Sequence, residues 1–177
     1  MSVNFLENKE VKKLLEAAQL YQKFAKTWLR KPQVSELGKE LITYVKNGDG
    51  FRKESSNTVG ANIVARNSTV LGKDEEQRDI YNEWLIPVET ANKNYGVEVI
   101  NNLSSESFTA HKKQATLKAV ELTPEVMKSL GLEGNKLEIK VSWSPEPMIA
   151  YVGDYLADVG YSISKEDMKD YEEVLKV

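Results

Sequence analysis

Between Glu7 and Leu29, apolar residues return every three or four positions: Val11, Leu14, Leu15, Ala18, Tyr21, Ala25, Trp28 and Leu29. That spacing predicts one amphipathic helix, because residues three and four apart share a helix face. Asn4 or Asn8 supplies an N-cap, Glu7 and Glu10 suit the positive end of the helix dipole, and Pro32 stops the run. Leu37, Leu41, Ile42 and Val45 predict a second helix over 34–45, starting at Ser35 and ended by Asn47-Gly48-Asp49-Gly50. The polar, glycine-bearing stretch 48–60 predicts a loop.

From residue 61 the pattern becomes that of short strands. Segments 61–66, 80–88, 97–101, 115–122, 137–143, 148–152 and 155–163 are β-branched, aromatic or alternating, which predicts strands. A short helix is expected over 88–95, ended by Gly96, and another from Thr123-Pro124-Glu125 to Leu130, with Thr as N-cap and Pro at the first turn. Ser164 is placed to cap a last helix over 165–174, with Asp167 completing a capping-box pattern. NIVARN followed by IYNEWLIPVETANKNYG, and MIAYVGD followed by GYSISKEDMKDYE, share a strand, strand, helix rhythm. That rhythm fits either an old duplication or two commonplace units.

The expected fold class is therefore α+β: N-terminal helices packed on a small antiparallel β region, then a β-rich C-terminal unit. The expected segments are 1–50, 51–110 and 111–177, as separate units or as one domain. Composition adds exclusions. The chain has no cysteine, which removes disulfides, thiolate metal sites and cysteine nucleophiles. The charged first residues contain no secretory core, and no run reaches the roughly eighteen apolar residues of a membrane helix, so the expected location is the cytoplasm with no membrane partner. Residues 1–53 carry eleven Lys/Arg against six Asp/Glu, a net +5, while the remainder nets −8. A basic segment can meet nucleic acid, but it equally faces acidic parts of its own chain.

The chemistry is sparse. NGDGFRK (47–53) lacks a phosphate-loop spacing and reads as a turn. The single histidine, His111, has no zinc-site spacing around it and no nucleophile elbow near it; it reads as a solvated loop residue, with a general-base role as the sharper alternative. The acidic runs 73–79 and 169–173 lack the spacing of an oxygen-ligand cation loop. No metal and no cofactor is expected.

Residues 148–173, MIAYVGDYLADVGYSISKEDMKDYEE, resemble the short PGDYG type of domain of bacterial and phage proteins. Gly153, Asp154, Tyr155, Tyr161, Ile163 and Tyr171 carry the match, and 112–123 looks like the strand that often precedes it. Val152 stands where the proline usually is, and Leu156 where the last glycine is. The resemblance implies a compact β-rich unit, frequently phage-linked, and supplies no catalytic residue. The same residues also have a purely structural reading. Gly153 permits the turn, Asp154 bonds downstream backbone, and the tyrosines pack with their hydroxyls at the edge.

Three functions follow as expectations. The first is a non-enzymatic binding or accessory protein, phage or prophage encoded, that occupies a protein partner or sequesters a small ligand through Asp154, Tyr155, Tyr161 and His111; self-association is left open. The second is an enzyme on a small polar or nucleotide-like substrate, using Asp154, Tyr155 and His111. The third is a nucleic-acid-binding module using Lys12, Lys13 and Lys26.

Overall fold

The computed structural model describes residues 2–4 and 7–175. The chain begins with β1 (Ser2–Val3), α1 (Lys9–Glu16), β2 (Gln19–Lys23) and β3 (Thr27–Arg30). A 3-10 turn (Val34–Glu36) leads to β4 (Glu40–Asn47), β5 (Gly50–Thr58), β6 (Asn62–Lys73) and β7 (Asp79–Pro87). Then come α2 (Val88–Tyr95), α3 (Val97–Asn101), β8 (Thr109–His111), β9 (Thr116–Glu121) and α4 (Pro124–Ser129). The chain continues with β10 (Lys136–Ile139), β11 (Met148–Tyr151), β12 (Tyr155–Ala157) and β13 (Ser162–Ile163), then a second 3-10 turn (Asp167–Asp170) and β14 (Tyr171–Glu173).

The protein is thus mostly β, and the expected α+β arrangement of N-terminal helices on a small antiparallel region is overturned. The helix expected over 7–29 ends at Glu16, where Ala17 is its C-cap. Beyond it, Thr27 and Leu29 are fully buried and Trp28 between them is exposed, the alternation of a strand. Over 34–45 only the turn 34–36 is helical. The β-branched and aromatic run Ile42-Thr43-Tyr44-Val45 is stiff at χ1 and sits better on a pleated surface, so it forms β4. The residues read as the end of that helix, Asn47-Gly48-Asp49-Gly50, instead close a β-hairpin: Asn47 pairs with Gly50 and Gly48 takes φ +61° at the first central position. The loop expected over 48–60 is mostly β5, in which the inward residues Glu54 and Ser56 are polar and so leave no hydrophobic alternation to detect. Residues 97–101 form α3, and the helix expected over 165–174 shrinks to a 3-10 turn followed by β14.

The chain divides into two compact units, 1–22 with 116–177, and 23–115. The segment 1–50 is shared between them, 51–110 lies within the second, and 111–177 lies mostly in the first.

The first unit holds a three-stranded sheet, β1-β10-β11, and a five-stranded sheet, β13-β12-β9-β2-β14. α1 is capped by Asn8, whose side chain accepts from the Val11 N–H at 3.0 Å, and α4 by Thr123, which accepts from Val126 at 3.2 Å. Val11 and Leu15 of α1, Met127 of α4, Leu137, Ile139, Met148, Ala150 and Leu156 form its main core. A second cluster joins Leu117, Ala119, Ala157, Ile163 and Met168, with Tyr21, Tyr155, Tyr161 and Tyr171 packed against it.

The second unit is built on the antiparallel sheet β7-β6-β3-β8 and the separate hairpin β4-β5. Register defines its two faces. Leu29 opposes Ala65 and Thr109, Thr27 opposes His111, Ala65 opposes Trp84, and Ile63 opposes Ile86, so all of these share one face. α2 and α3 cover that face with Ala91, Tyr95 and Ile100, and Leu103 joins them. Trp28, Arg66 and Glu83, directly opposed, lie on the other face. Beyond Arg66 the β6–β7 register shifts twice, before and after Val70, which bends the long hairpin. β4 and β5 lie against it there; a Cβ on Gly72 would approach the Phe51 ring to 3.0 Å.

Candidate functional site

Among the residues singled out from sequence, Asp154, Tyr155 and Tyr161 belong to the first unit and His111 to the second. Asp154 is buried, and its carboxylate accepts the backbone N–H of Tyr151 at 2.9 Å and of Lys165 at 3.0 Å. Its own carbonyl accepts from Leu122 at 2.7 Å. Asp154 therefore ties three chain segments together, as a backbone clamp. Gly153 beside it takes φ +104°, which makes the turn possible. Tyr155 meets Tyr21 edge to face at 6.3 Å, and Tyr161 meets Trp143 likewise at 6.2 Å. Burial, then Glu121 and Glu173, push the Tyr155 hydroxyl above its ordinary pKa. His111 is half-buried on β8, 2.7 Å from the Thr109 hydroxyl, and desolvation lowers its pKa.

Two arrangements in the second unit were missed from sequence. The first is a polar chain within the β6–β7 bend. The buried Lys23 ammonium donates to Thr27 Oγ1 and to Asn67 Oδ1, both at 2.8 Å, and lies 5.1 Å from the centre of the Trp84 ring. Asn67 then donates to Asn82 Oδ1 at 2.7 Å, and Asn82 donates to the Tyr44 carbonyl at 2.7 Å. One continuous network thus joins Lys23, β3, β6, β7 and the β4–β5 hairpin. The available signal was asparagine at an inward position of two neighbouring strands, in NIVARN and IYNEW.

The second arrangement is the outer face of the four-stranded sheet. The Arg66 guanidinium lies 4.0 Å from the Tyr81 ring centre and 4.1 Å from that of Phe108, held between two aromatic planes. It is ion-paired to Glu83 through Nε at 2.8 Å and through Nη2. Arg30 lies 5.0 Å from Phe108 and makes a bidentate pair with Glu36 at 2.6 and 2.7 Å, which holds the Glu36 carboxyl below its usual range. Directly opposite Arg66, Trp28 remains 38% exposed.

Among the described residues, no group of three or more His, Asp or Glu is placed to hold a metal ion, and no helix is long and apolar enough to cross a membrane. No family model, no curated protein and no solved structure matches the chain.

Proposed function

We propose that the protein is a binding module that docks a partner protein on the outer face of the β7-β6-β3-β8 sheet, around Trp28 and Arg66. The supporting observation is the fixing of Arg66 between Tyr81 and Phe108 beside a tryptophan that stays 38% exposed. Tryptophan, tyrosine and arginine are the residues that most often dominate the binding energy of protein interfaces. An arginine already held by two rings and a carboxylate loses little side-chain freedom on docking. Its ion pair uses Nε and Nη2, which leaves Nη1 for an acceptor on the partner.

Charge favours a protein over a nucleic acid here. Arg66 is neutralised by Glu83 and Arg30 by Glu36, whereas phosphate binding draws on unpaired cations that release counterions. The partner surface that fits presents an apolar side chain to Trp28 and a carbonyl or carboxylate to Arg66. A phage-linked accessory role, as the resemblance of 148–173 implies, is part of the same proposal. Hydroxyl-radical footprinting of the chain, alone and in a lysate of its native cells, tests it. Selective protection of Trp28 and Tyr81 in the lysate is expected. Equal oxidation in both conditions would count against it.

A further inference from the structure

Lys113 follows β8 in the second unit and is one of the most buried charged residues of the chain, at 9% exposure. Burial disfavours an ammonium unless a partner compensates it. Lys23, also buried, has such partners. Lys113 has no hydrogen bond, ion pair or ring contact among the described residues. Its Nζ is nevertheless not fully occluded, so its tip keeps a little solvent access. The next residue is fixed: the Gln114 N–H donates to the Asn94 carbonyl of α2 at 2.8 Å. Two residues earlier on α2, Asn92 Oδ1 is buried without a donor. The backbone around Lys113 is thus anchored beside a helix with an unmet acceptor, while the amine itself is unmet.

An amine in this setting is driven towards its neutral form. Desolvation is the sole cause acting on Lys113, and it lowers the pKa. Neutral lysine is a nucleophile, and desolvation is one of the ways by which lysines are activated for carbonyl chemistry.

We propose that Lys113 is a carbonyl-capturing residue, taking a small aldehyde or 2-oxo acid as an imine. The Nζ lone pair adds to the carbonyl carbon to form a carbinolamine, and a proton passes from nitrogen to oxygen. Loss of water then leaves the C=N bond. The carbonyl oxygen and the two amine hydrogens depart as that water, and nothing is oxidised or reduced. An imine nitrogen is a weaker base than an alkylamine, so the adduct carries less of the charge that this environment penalises.

The test uses the full chain, glyoxylate at neutral pH and cyanoborohydride to trap the imine, followed by peptide mapping. Lys113 is expected to be labelled first, several-fold faster than exposed Lys112 beside it. That preference is expected to vanish in concentrated urea. Lys113→Arg should lose the fast label while keeping the wild-type circular dichroism, and Lys113→Met gives a second, uncharged check should the arginine disturb folding. Labelling spread evenly over exposed lysines, or a Lys113 preference that survives urea, would overturn the proposal.

Discussion

The Lys23 ammonium donates at 2.8 Å to the side-chain oxygen of Asn67, 44 residues further along the chain. That bond fastens the start of the second unit to the bend in β6, one residue from Arg66. Lys23→Met would keep the length of the side chain but leave Asn67 Oδ1 without this donor. Removing one partner of a buried hydrogen bond costs about 1–3 kcal/mol. Urea unfolding followed in the second unit should therefore show a loss of roughly 2–4 kcal/mol. A midpoint like that of wild type would show that the network contributes little.

Asp154 serves two backbone donors, the N–H groups of Tyr151 and Lys165. Asp154→Ala should cost about 2–4 kcal/mol and speed amide exchange at both positions, because neither donor is then satisfied by this side chain. Asp154→Asn keeps one acceptor oxygen and should lose less, with exchange faster at one of the two amides. Unchanged exchange at Tyr151 and Lys165 in the alanine variant would contradict the clamp.

Tyr21 and Tyr155 share an edge-to-face contact, and both hydroxyls are raised above the ordinary tyrosine value of 10.0, by burial first, then for Tyr21 by Tyr155, and for both by Glu121 and Glu173. With a folded-state pKa above the unfolded one, the native state holds its protons longer. The associated stability is complete below the unfolded value and is lost as pH rises through the folded pKa values. A tyrosinate absorbance titration should show a late phase, and Tyr155→Phe should shrink it.

Glu36 behaves in the opposite sense. The hydrogen bond from Arg30 is the largest cause lowering its pKa below the ordinary 4.5. The stability it adds is present above the unfolded pKa and falls away as pH drops through the folded one. Glu36→Gln should flatten that acid limb of the stability curve, measured by thermal unfolding from pH 6 down to about pH 3.

Much of the chain beyond residue 60 was legible because its local signals agree with its tertiary setting. Thr123-Pro124-Glu125 starts α4, Gly96 at φ +99° ends α2, and strands appear within 62–73, 79–87, 116–121 and 148–151. The N-terminal third was misread because period-four and period-two patterns overlap in short runs. Tyr21, Ala25 and Leu29 fit a helix face, yet pairing of β2 with β9 and of β3 with β6 and β8 decides the outcome. The shared rhythm of 62–95 and 148–173 reflects two different pairings, since β6 pairs with β7 whereas β11 and β12 lie in separate sheets. The Trp28–Arg66 face was invisible because its members are 38 residues apart and register alone places them opposite each other. The apolar periodicity of 7–29 places Trp28 in the stripe of a helix, which would bury it.

The most direct measurement is the affinity of the partner captured from native cells for the wild-type chain and for Trp28→Ser, with the exposed Val159→Ser of the first unit as control. If the outer sheet face is the docking surface, the Trp28 variant should lose at least about 2 kcal/mol, roughly thirtyfold in Kd, while the control stays within about twofold of wild type. A Trp28 variant that binds as tightly as the control, or a wild-type chain that captures no stoichiometric partner, would contradict it.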